Sequence, residues 1–443
     1  GGDCLHYGCV PSKTLIKSAA VYHQLKQTSR YGLPGVEVPP VDFSQVSAHI
    51  QSVIDTIQHH DSEERFCGLG AKVIFGTARF TGPYHVDVDG KPISADKWVI
   101  ATGSSPALPP IDGLHETPHL TNKDIFTLNQ LPASMIILGA GPIGIEMAQA
   151  FNRLGTQVTV VDMAPQILIR EDRDMADTVM NVLASEGIEF VLSAPIRQVR
   201  DLGSHKQVRV TDKDGSNKEL TAKCILVAIG RVPNAKGLGL KEIGIDYGNR
   251  GIVVDGRLRT SQSHIYAAGD VSGGPMFTHA AGYQGGIVIS NAVFRLPRKV
   301  DYTWLPWCTY TDPELASIGM NEKAANEAGI THQVIIEPFK DNDRAIAEAR
   351  GSGRIKLVLD KKEKPLGVQI LGPLAGDLIS QWISILNGKV KLSSVASAIH
   401  PYPTFGEINK RAAGTLLSPK IFSQTVQKGL KFFFNTKGRA CSL

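Results

Sequence analysis

The sequence predicts an α/β protein of several domains with two nucleotide-binding folds. Its 443 residues exceed what one hydrophobic core usually serves. From Pro132 onward, an apolar strand, a glycine-rich turn, a helix and a second apolar strand follow one another, as in a βαβ unit. A separate apolar strand that ends in a glycine turn, HIYAAGDV, indicates the second nucleotide-binding fold. No short-period repeat accompanies these units.

The predicted elements alternate between helices and strands along the chain. An amphipathic helix is expected over residues 44–66, followed by strands in AKVIFGTARF, HVDVDG and KWVIATGSSP. The βαβ unit then comprises strand SMIILGAG, helix PIGIEMAQAFNRLG, strand QVTVVD, a helix over 175–186 and later strands that end in CILVAIGRVPN. Short strands lead to HIYAAGDV, and mixed helices and strands are expected from Asp301 onward.

Composition restricts the class of protein. Apolar residues make up 42% and charged residues 20%, which is a globular balance and excludes a disordered chain. The 44 glycines predict several loops whose backbone passes close to a ligand. The six scattered cysteines form no secreted disulfide framework, and the sequence shows no signal peptide or membrane-length apolar run. We therefore expect a cytoplasmic protein, and nothing resembles a nucleic-acid-binding module.

Most of the net charge of +5 lies in a C-terminal tail, residues 421–443. The tail contains no acid, and three consecutive phenylalanines, Phe432–Phe434, lie among its basic residues. The basic residues of the tail are Lys428, Lys431, Lys437 and Arg439. Two interpretations are open: contact with an anionic membrane or partner, or a terminal helix that docks its phenylalanines on the body of the protein. We favour the docked helix.

The segment ILGAGPIGIE has the features of a dinucleotide-binding turn. It follows an apolar strand and opens a helix, so its backbone N–H groups can approach a pyrophosphate. The residues of this turn are Gly139, Gly141, Pro142, Ile143 and Gly144. Asp162 closes the next strand, where a carboxylate accepts ribose hydroxyls and repels a 2′-phosphate. The pattern therefore predicts an NAD(P)H site that favours NADH, although Arg170 leaves NADPH open.

Two of the cysteines stand five positions apart in the opening segment, GGDCLHYGCVPSK. In a regular helix such positions lie about 7.5 Å apart along the axis, so a bond between Cys4 and Cys9 requires a distorted backbone. Gly8 permits such a distortion, and a helix that starts at Pro11 stabilises a thiolate with its N-terminal field. From the spacing alone, a redox pair, two unpaired core thiols and half of a metal site all remain open.

The opening segment closely resembles the redox-disulfide segment of the FAD-dependent pyridine nucleotide-disulfide oxidoreductases, the group of glutathione reductase, dihydrolipoamide dehydrogenase and mercuric reductase. The resemblance continues in that family's order through ATGSSP, GAGPIGIE, AIGRVPN, AAGDV, TDPELASIG and HPYPTFGE, so it covers essentially the whole chain. It implies two Rossmann-like domains and a C-terminal α+β dimerisation domain. The implied ranges are FAD-binding 1–117 and 248–303, NAD(P)-binding 118–247, dimerisation 304–420 and basic tail 421–443.

The resemblance also implies a role for individual residues. Cys9 is expected to face the flavin, and Cys4 to be the interchange thiol that meets the substrate. Lys13 is expected beside the flavin N5 in an ion pair with Glu146, since a buried Lys needs a partner. Asp270 is expected to bind the ribityl chain of FAD. The other implied cofactor contacts are Gly76, Thr102, Gly103, Met276, Phe277, Thr278, His279 and, on the nicotinamide side, Gly230.

The sequence departs from the family at its start. The FAD-binding fold of the family begins with a strand and a glycine-rich pyrophosphate turn upstream of the redox cysteines, and this sequence has no residues there. We therefore expect a fragment that starts inside the FAD-binding domain and retains FAD poorly. Flavin absorbance that stays stoichiometric through purification contradicts that expectation.

A second departure lies in HPYPTFGE. In disulfide reductases of this family the motif is His-Pro-Thr followed by a Glu, and the imidazole is the acid/base for thiol exchange. Alignment on Pro403, Thr404 and Glu407 puts Tyr402 at the position of that His, and a phenol with a pKa near 10 is a poor base at neutral pH. His400 is expected about 6.6 Å away along an extended strand, as a rim or core residue or as a substitute base.

A tyrosine at this position resembles mercuric reductase, where it serves metal binding, although that enzyme has a C-terminal cysteine pair and this chain has only Cys441. The resemblance implies electron transfer from NAD(P)H through FAD to Cys4 and Cys9, and on to a metal ion or a small disulfide. It also implies a homodimer whose second subunit supplies Tyr402 and Glu407. The alternatives are dihydrolipoamide dehydrogenase and, in another class, a flavin redox sensor or scaffold without turnover.

Overall fold

The computed structural model describes residues 2–434. The chain divides into two compact units, and the division falls between Tyr302 and Thr303. Cys441 and the rest of the tail beyond residue 434 lie outside the described residues. Among the helices from 2 to 434, none combines the length and the apolarity that a membrane span requires.

The first unit is built from helices and many short strands. Its α-helices span Asp3–His6, Cys9–Leu25, Phe43–Gln58, Glu63–Gly68, Pro142–Leu154, Arg173–Ser185 and Thr278–Ala292. Its strands span Ala78–Gly82, His85–Val88, Lys91–Ser94, Trp98–Ile100, Ser104–Pro106, Ser134–Leu138, Gln157–Val161, Glu189–Val191, Ile196–Asp201, Lys206–Thr211, Asn217–Ala222, Cys224–Val227, Arg231–Pro233, Tyr247–Gly248, Gly251–Ile252 and Ile265–Ala267. Its 3₁₀-helices span Thr28–Tyr31, His59–Asp61, Lys241–Ile243 and Asp270–Ser272.

A four-stranded parallel sheet confirms the predicted βαβ unit. Its strands are almost wholly apolar, because a parallel sheet is buried on both faces. The helix Pro142–Leu154 connects the two central strands and presents a long buried side to the sheet. In spatial order the strands are Cys224–Val227, Ser134–Leu138, Gln157–Val161 and Glu189–Val191.

A second parallel pair lies elsewhere in this unit. Trp98–Ile100 pairs with Ile265–Ala267, with Trp98 opposite Ile265. Because the two strands run in the same direction, the glycine turns that follow them meet at one edge. That edge is the place where open α/β sheets bind ligands.

The second unit has one antiparallel sheet of five strands covered by helices. In spatial order the strands are Pro306–Thr309, Glu314–Gly319, Pro365–Gly372, Arg354–Asp360 and His332–Pro338. Its helices span Glu322–Glu327, the 3₁₀ turn Phe339–Asp341, Asp343–Ala347, Ala375–Asn387, Leu392–Ser397, Glu407–Ile421 and Gln424–Phe434. The core of this unit lies between the sheet and the helices Ala375–Asn387 and Glu407–Ile421, with Trp382 fully buried in it.

Three predicted elements differ from the observed ones. The expected helix over 44–66 is wrong as a single element: it ends at Gln58, and Ser62 caps a new helix by accepting a hydrogen bond from the Arg65 N–H at 3.2 Å. The expected strand in AKVIFGTARF forms only from Ala78 onward. The helix expected from Pro11 already begins at Cys9.

The favoured interpretation of the tail is also wrong for the residues that the structure describes. The side chains of Phe432 and Phe433 are 84% and 79% exposed, so they do not dock on the body of the protein. Phe422, just before the last helix, is exposed as well. The helix Gln424–Phe434 therefore leaves apolar side chains in solvent.

Trp382 offers a test of the core of the second unit. Its indole N–H donates to Asn409 Oδ1 at 2.8 Å, and both residues are fully buried. Trp382→Phe leaves that oxygen without a donor, so we expect the free energy of unfolding to fall by about 1–3 kcal/mol. Urea denaturation followed by far-UV circular dichroism measures the change. Ile399→Ala, at a side chain that is 99% exposed, is the control and is expected within about 0.5 kcal/mol of the parent; an equal loss in both variants contradicts the assignment.

Candidate active site

A break between two helices brings Cys4 and Cys9 together. The helix Asp3–His6 ends before Gly8, and the helix Cys9–Leu25 begins directly after it. A Cβ atom on residue 8 would lie 3.0 Å from the Asp3 carbonyl oxygen, so this close approach favours glycine. Across the break the two thiols are not bonded to each other in this structure, and they lie close enough for each to change the pKa of the other. The distortion that the spacing required is therefore present.

The two thiols have opposite electrostatic properties. The hydrogen bond from the Cys4 thiol lowers the pKa of Cys9 to about 6, and Thr278 and the Lys13 ammonium lower it further against the effect of burial. The same contact, together with burial, raises the pKa of Cys4 far above its usual range. At neutral pH the pair therefore consists of a Cys9 thiolate that accepts a hydrogen bond from a Cys4 thiol.

Thr278 places a second helix beside the thiolate. Cys9 Sγ and Thr278 Oγ1 lie 3.3 Å apart, within hydrogen-bond distance for sulfur. Thr278 is the first residue of the helix Thr278–Ala292, whose N-terminal dipole favours a negative charge. The preceding Phe277 stacks on His279, with ring centroids 5.2 Å apart. The predicted stretch 276–279 therefore does lie beside the cysteine pair.

The predicted ion pair between Lys13 and Glu146 is present. Lys13 Nζ donates to Glu146 Oε2 at 2.7 Å. The Glu146 side chain is buried on the helix Pro142–Leu154, and Lys13 lies on the helix Cys9–Leu25 that packs against it. A buried carboxylate needs such a partner, so the pair fixes the cysteine-bearing helix to the dinucleotide-binding helix.

Arg231 connects the cysteine segment to Asp270, and the sequence motifs did not reveal this contact. Its guanidinium lies 2.9 Å from Asp3 Oδ2 and 3.8 Å from Asp270 Oδ2. Arg231 Nε also donates to Ser104 Oγ at 2.7 Å, and Ser104 Oγ donates to Asp270 Oδ2 at 2.5 Å. Asp3 directly precedes Cys4, so this network holds the first thiol relative to the edge of the parallel strand pair.

Asn122 stabilises the backbone at the helix break between the two cysteines. Asn122 Nδ2 donates to the Tyr7 carbonyl oxygen at 2.9 Å and lies 3.3 Å from Asp3 Oδ1. Tyr7 stands between the two cysteines, where the chain leaves helical geometry. Asn122 therefore satisfies a carbonyl group that the helix break leaves without an intrahelical donor.

The edge of the parallel strand pair has the shape of a nucleotide cradle. Gly103 has a φ of +68° and open space where a side chain would stand. Thr102 Oγ1 donates to the Asn234 carbonyl at 2.8 Å, and Asn234 Nδ2 donates back to the Thr102 carbonyl at 2.9 Å. Asp270 follows Gly269, which has a φ of +76°, and only its Oδ2 is engaged by the described residues. A free carboxylate oxygen beside a bare glycine turn fits the sugar-like chain of a flavin nucleotide.

Two other predicted cofactor contacts are glycines. A Cβ on Gly76, which has a φ of +148°, would lie 2.5 Å from Asp89 Oδ2 and 2.7 Å from Val88 Cγ1, so this position favours glycine. Gly230 accepts a hydrogen bond from the Ala107 N–H at 2.9 Å, which extends the pairing of Arg231–Pro233 with Ser104–Pro106. Gly230 therefore lies next to the cradle, and the contact of Gly76 with the cofactor stays a prediction.

The dinucleotide-binding turn uses its three glycines in different ways. A Cβ on Gly139 would meet the Ala228 carbonyl oxygen at 2.5 Å, and a Cβ on Gly144 would collide with the Gly139 carbonyl. Around Gly141 there is nothing within 4 Å of that position. The outer two glycines thus allow the strand and helix to pack closely, and Gly141 leaves room for a phosphate at the helix start, where the N–H groups of Ile143 and Gly144 lack intrahelical acceptors.

Asp162 lies at the end of the strand Gln157–Val161, directly beside that turn. Its Oδ2 accepts a hydrogen bond from the Ala140 N–H at 2.6 Å, and its Oδ1 accepts one from the Ala164 N–H at 2.8 Å. The carboxylate is therefore held in place where the ribose of a dinucleotide is expected.

In the second unit, Tyr402 is hydrogen-bonded to an acid that the motif did not predict. The Tyr402 hydroxyl donates to Asp343 Oδ2 at 2.6 Å, and this bond to a carboxylate raises the pKa of Tyr402 above its usual value. The ring is 68% exposed. Glu407 is the first residue of the helix Glu407–Ile421. Tyr402 therefore stays a neutral phenol at physiological pH and cannot serve as a base for a thiol.

His400 does not lie on the strand that we expected. It stands in an irregular segment, half-buried, where Gln381 Nε2 lies 3.0 Å from its Nε2 and the Ala398 carbonyl oxygen lies 3.2 Å from its Nδ1. A neutral ring with the proton on Nδ1 satisfies both contacts. The histidine thus has the contacts of a rim residue.

Between residues 2 and 434, no three His, Cys, Asp or Glu side chains cluster closely enough to hold a metal ion.

The comparisons with known proteins cover both units. Residues 1–285 match the family described as pyridine nucleotide-disulphide oxidoreductase, and residues 305–413 match the dimerisation domain of the same family. A mercuric reductase of Lysinibacillus sphaericus is 33% identical over 417 residues, which are 94% of this chain and 76% of that protein. A dihydrolipoyl dehydrogenase of Geobacillus stearothermophilus is 34% identical over 429 residues, which are 95% of this chain and 90% of that protein.

Solved structures show the same fold. The HOCl-induced flavoprotein disulfide reductase RclA from Escherichia coli superposes with a TM-score of 0.83 at 28% identity, over 94% of this chain and 91% of that chain. A Cu(II) complex of the same reductase gives a TM-score of 0.84 at 27% identity, with the same shares of the two chains. The α/β fold with two nucleotide-binding domains and a dimerisation domain is thereby confirmed.

The low pKa of Cys9 depends on Cys4 and can be tested by alkylation. Only a thiolate reacts, so the alkylation rate of Cys9 in the reduced protein is expected to rise with pH, inflect near pH 6 and then stay constant. Cys4→Ala removes the hydrogen-bond donor, and the inflection is expected to move up by at least about one pH unit. Iodoacetamide labelling between pH 5 and 9, with mass spectrometry of the Cys9 peptide, measures it.

A matched control comes from Cys224, whose pKa burial raises to about 11. Cys224→Ala should leave the Cys9 inflection unchanged. An inflection that stays near pH 6 in Cys4→Ala shows that Cys4 is not the source of the shift.

Proposed function

The chain belongs to the pyridine nucleotide-disulphide oxidoreductases, and on this premise we propose that Cys4 and Cys9 are its redox-active pair, that NADH is its electron donor and that its acceptor is a soft metal ion. Members of the family are enzymes that use FAD and NAD(P)H. The observation that carries the proposal is the helix break that sets Cys4 beside Cys9, with Cys9 Sγ 3.3 Å from Thr278 Oγ1 at the start of the helix Thr278–Ala292.

Bound FAD supplies the redox chemistry that links a nicotinamide hydride to a disulfide. The residues of this chain position and charge the sulfur atoms. When the Cys4–Cys9 disulfide opens, it takes up two electrons and one proton, because Cys4 binds a proton and Cys9 remains a thiolate. Thr278 and Lys13 stabilise the negative charge on Cys9. Cys4, which carries the proton, is the thiol that exchanges with substrate.

The preference for NADH is supported by Asp162. Its carboxylate is fixed by the two backbone hydrogen bonds to residues 140 and 164, so it cannot easily turn away from an incoming ligand. A fixed negative charge at the ribose position repels the 2′-phosphate of NADPH and accepts the free hydroxyls of NADH.

The choice of a metal ion as acceptor is supported by Tyr402. Disulfide exchange at neutral pH needs a base with a pKa near 7, and the phenol bound to Asp343 is not such a base. Because its proton points to Asp343, the lone pairs of the Tyr402 oxygen remain available to a cation. The similarity to mercuric reductases, and to a reductase solved as a Cu(II) complex, agrees with this choice.

A small disulfide is the second candidate. The dihydrolipoyl dehydrogenases are as similar to this chain as the mercuric reductases, with 34% identity to the Geobacillus stearothermophilus enzyme. This candidate requires another group in place of the missing imidazole at position 402. His400 is the nearest in sequence, but both of its ring nitrogens already have hydrogen-bond partners.

The second unit carries the dimerisation domain of the family. We propose that the chain acts as a homodimer in which Tyr402 and Glu407 complete the active site of the other subunit. Each active site then contains two cysteines from one chain and a phenol and a carboxylate from the other.

An acceptor panel tests the proposal. NADH oxidation by the FAD-loaded protein is measured with Hg(II), Cu(II), lipoamide, glutathione disulfide and quinones. We expect turnover with the metal ions. Turnover with the disulfides is expected to be at least about tenfold lower, since the loss of an acid/base group such as the imidazole at position 402 costs about 10²–10⁴ in rate. Higher turnover with lipoamide than with any metal ion contradicts the choice of acceptor, and no turnover with the whole panel favours a redox sensor.

Substitutions at position 402 test whether Tyr402 determines the preference for a metal ion over a disulfide. Tyr402→His supplies the missing imidazole, so lipoamide turnover is expected to rise at least about tenfold while Hg(II) turnover falls. Tyr402→Phe is the matched control, because it keeps the ring but provides neither a base nor a metal ligand, and lipoamide turnover should not rise. If both variants respond alike, Tyr402 does not determine the acceptor.

A further inference from the structure

The last described helix, Gln424–Phe434, has an apolar side with nothing packed on it. Val426, Leu430 and Phe433 recur at the i, i+4, i+7 spacing that places side chains on one side of a helix, and all three are exposed. Phe422, one turn earlier, is 67% exposed. In a folded protein such a stripe is normally covered, so an unpaired stripe indicates a binding surface.

All charged side chains after Glu407 are basic. After Glu407 the sequence contains no Asp or Glu, and it contains seven Lys and Arg residues, more than the net charge of +5 of the whole chain. The rest of the chain is therefore slightly negative, and the positive charge is concentrated here. Lys428 and Lys431, three positions apart, lie on the side of the helix opposite to Val426 and Leu430. Neither lysine forms an ion pair within the part of the chain that the structure describes.

The helix lies beyond the residues that match the domain models of the family. The match to the dimerisation domain ends at residue 413, before this helix begins. The catalytic and cofactor-binding residues discussed above all precede it. A role that does not involve catalysis is therefore open to this helix.

The combination of an apolar stripe and an opposite side whose only charged residues are lysines selects the partner. A second copy of the same helix would cover the apolar stripe but would leave Lys428 and Lys431, on the opposite side, without an acidic partner. An anionic bilayer surface accepts both properties, because the apolar side chains enter the acyl boundary while the lysines remain at the phosphate groups. At 11 residues the helix is too short to cross a bilayer, so it can only lie along its surface.

We propose that Gln424–Phe434 binds the surface of an anionic lipid bilayer, with Val426, Leu430 and Phe433 inserted and Lys428 and Lys431 at the headgroups. The helix attaches the oxidoreductase to a membrane peripherally. This attachment is independent of the acceptor proposed above.

Vesicle co-sedimentation of the full chain tests the proposal. Vesicles of equal parts phosphatidylglycerol and phosphatidylcholine are compared with pure phosphatidylcholine vesicles at 0.1 M NaCl. We expect the partition coefficient to be at least about tenfold higher with the anionic vesicles and to fall at least about fivefold in 0.5 M NaCl, where charges are screened. Equal binding to both vesicle types overturns the proposal.

Three variants separate the contributions. The triple variant Val426→Gln, Leu430→Gln and Phe433→Gln is expected to lose at least about tenfold in binding, and Lys428→Gln with Lys431→Gln at least about threefold. The control pair, Ile336→Gln with Val390→Gln, changes two exposed apolar residues elsewhere in the second unit and should bind like the parent. NADH oxidation should be the same in all variants, which separates this test from the test of acceptor choice.

Two outcomes identify a different occupant or none. If light scattering shows an assembly larger than a dimer that the triple variant abolishes, and vesicles are not bound, the apolar stripe pairs with a second copy and the proposal is wrong. If the triple variant binds anionic vesicles as well as the parent does, the helix is not the membrane contact.

Discussion

The electrostatic coupling between the Cys4 and Cys9 thiols is the interaction on which the rest of the site depends. It exists because the chain leaves helical geometry at Gly8, where the Asp3 carbonyl approaches too closely for a side chain to fit comfortably. The break turns two sulfur atoms that a regular helix would hold apart into a pair with one proton. One thiol is then poised to exchange, and the other carries the charge.

The pair is positioned by contacts that come from distant parts of the first unit. Lys13 and Glu146 join the cysteine-bearing helix to the dinucleotide-binding helix. Arg231 joins Asp3 to the edge of the parallel strand pair, and Thr278 brings a helix N-terminus to the thiolate. Each contact starts from a regular helix or from the end of a strand, so the reacting sulfur atoms are held by rigid elements rather than by loops.

The sequence predicted those features that local spacing determines, and it missed those that depend on folding. The glycine turn at 139–144 and the acid at 162 could be predicted because turn geometry and helix starts follow from neighbouring residues. The pairing of Cys4 with Cys9 followed only from the family resemblance, since their spacing left three interpretations open. The ion pair of Arg231 with Asp3 and the hydrogen bond of Tyr402 with Asp343 could not be predicted, since residues far apart in sequence meet only in the folded chain. The start of a new helix after Ser62 could have been predicted, because Ser is a favoured N-cap residue. The exposure of the tail phenylalanines could not, because it depends on which surfaces of the folded protein lie near them.

The account is tested most directly by the midpoint potential of the Cys4–Cys9 couple as a function of pH. Mass spectrometry of alkylated peptides from protein equilibrated in thiol–disulfide buffers gives the fraction reduced. If Cys9 is a thiolate above pH 6 and Cys4 stays protonated, the potential falls by about 59 mV per pH unit below pH 6 and by about 30 mV per unit above it. A constant slope of about 59 mV from pH 5 to 8, or no reversible couple between these two residues, contradicts the account.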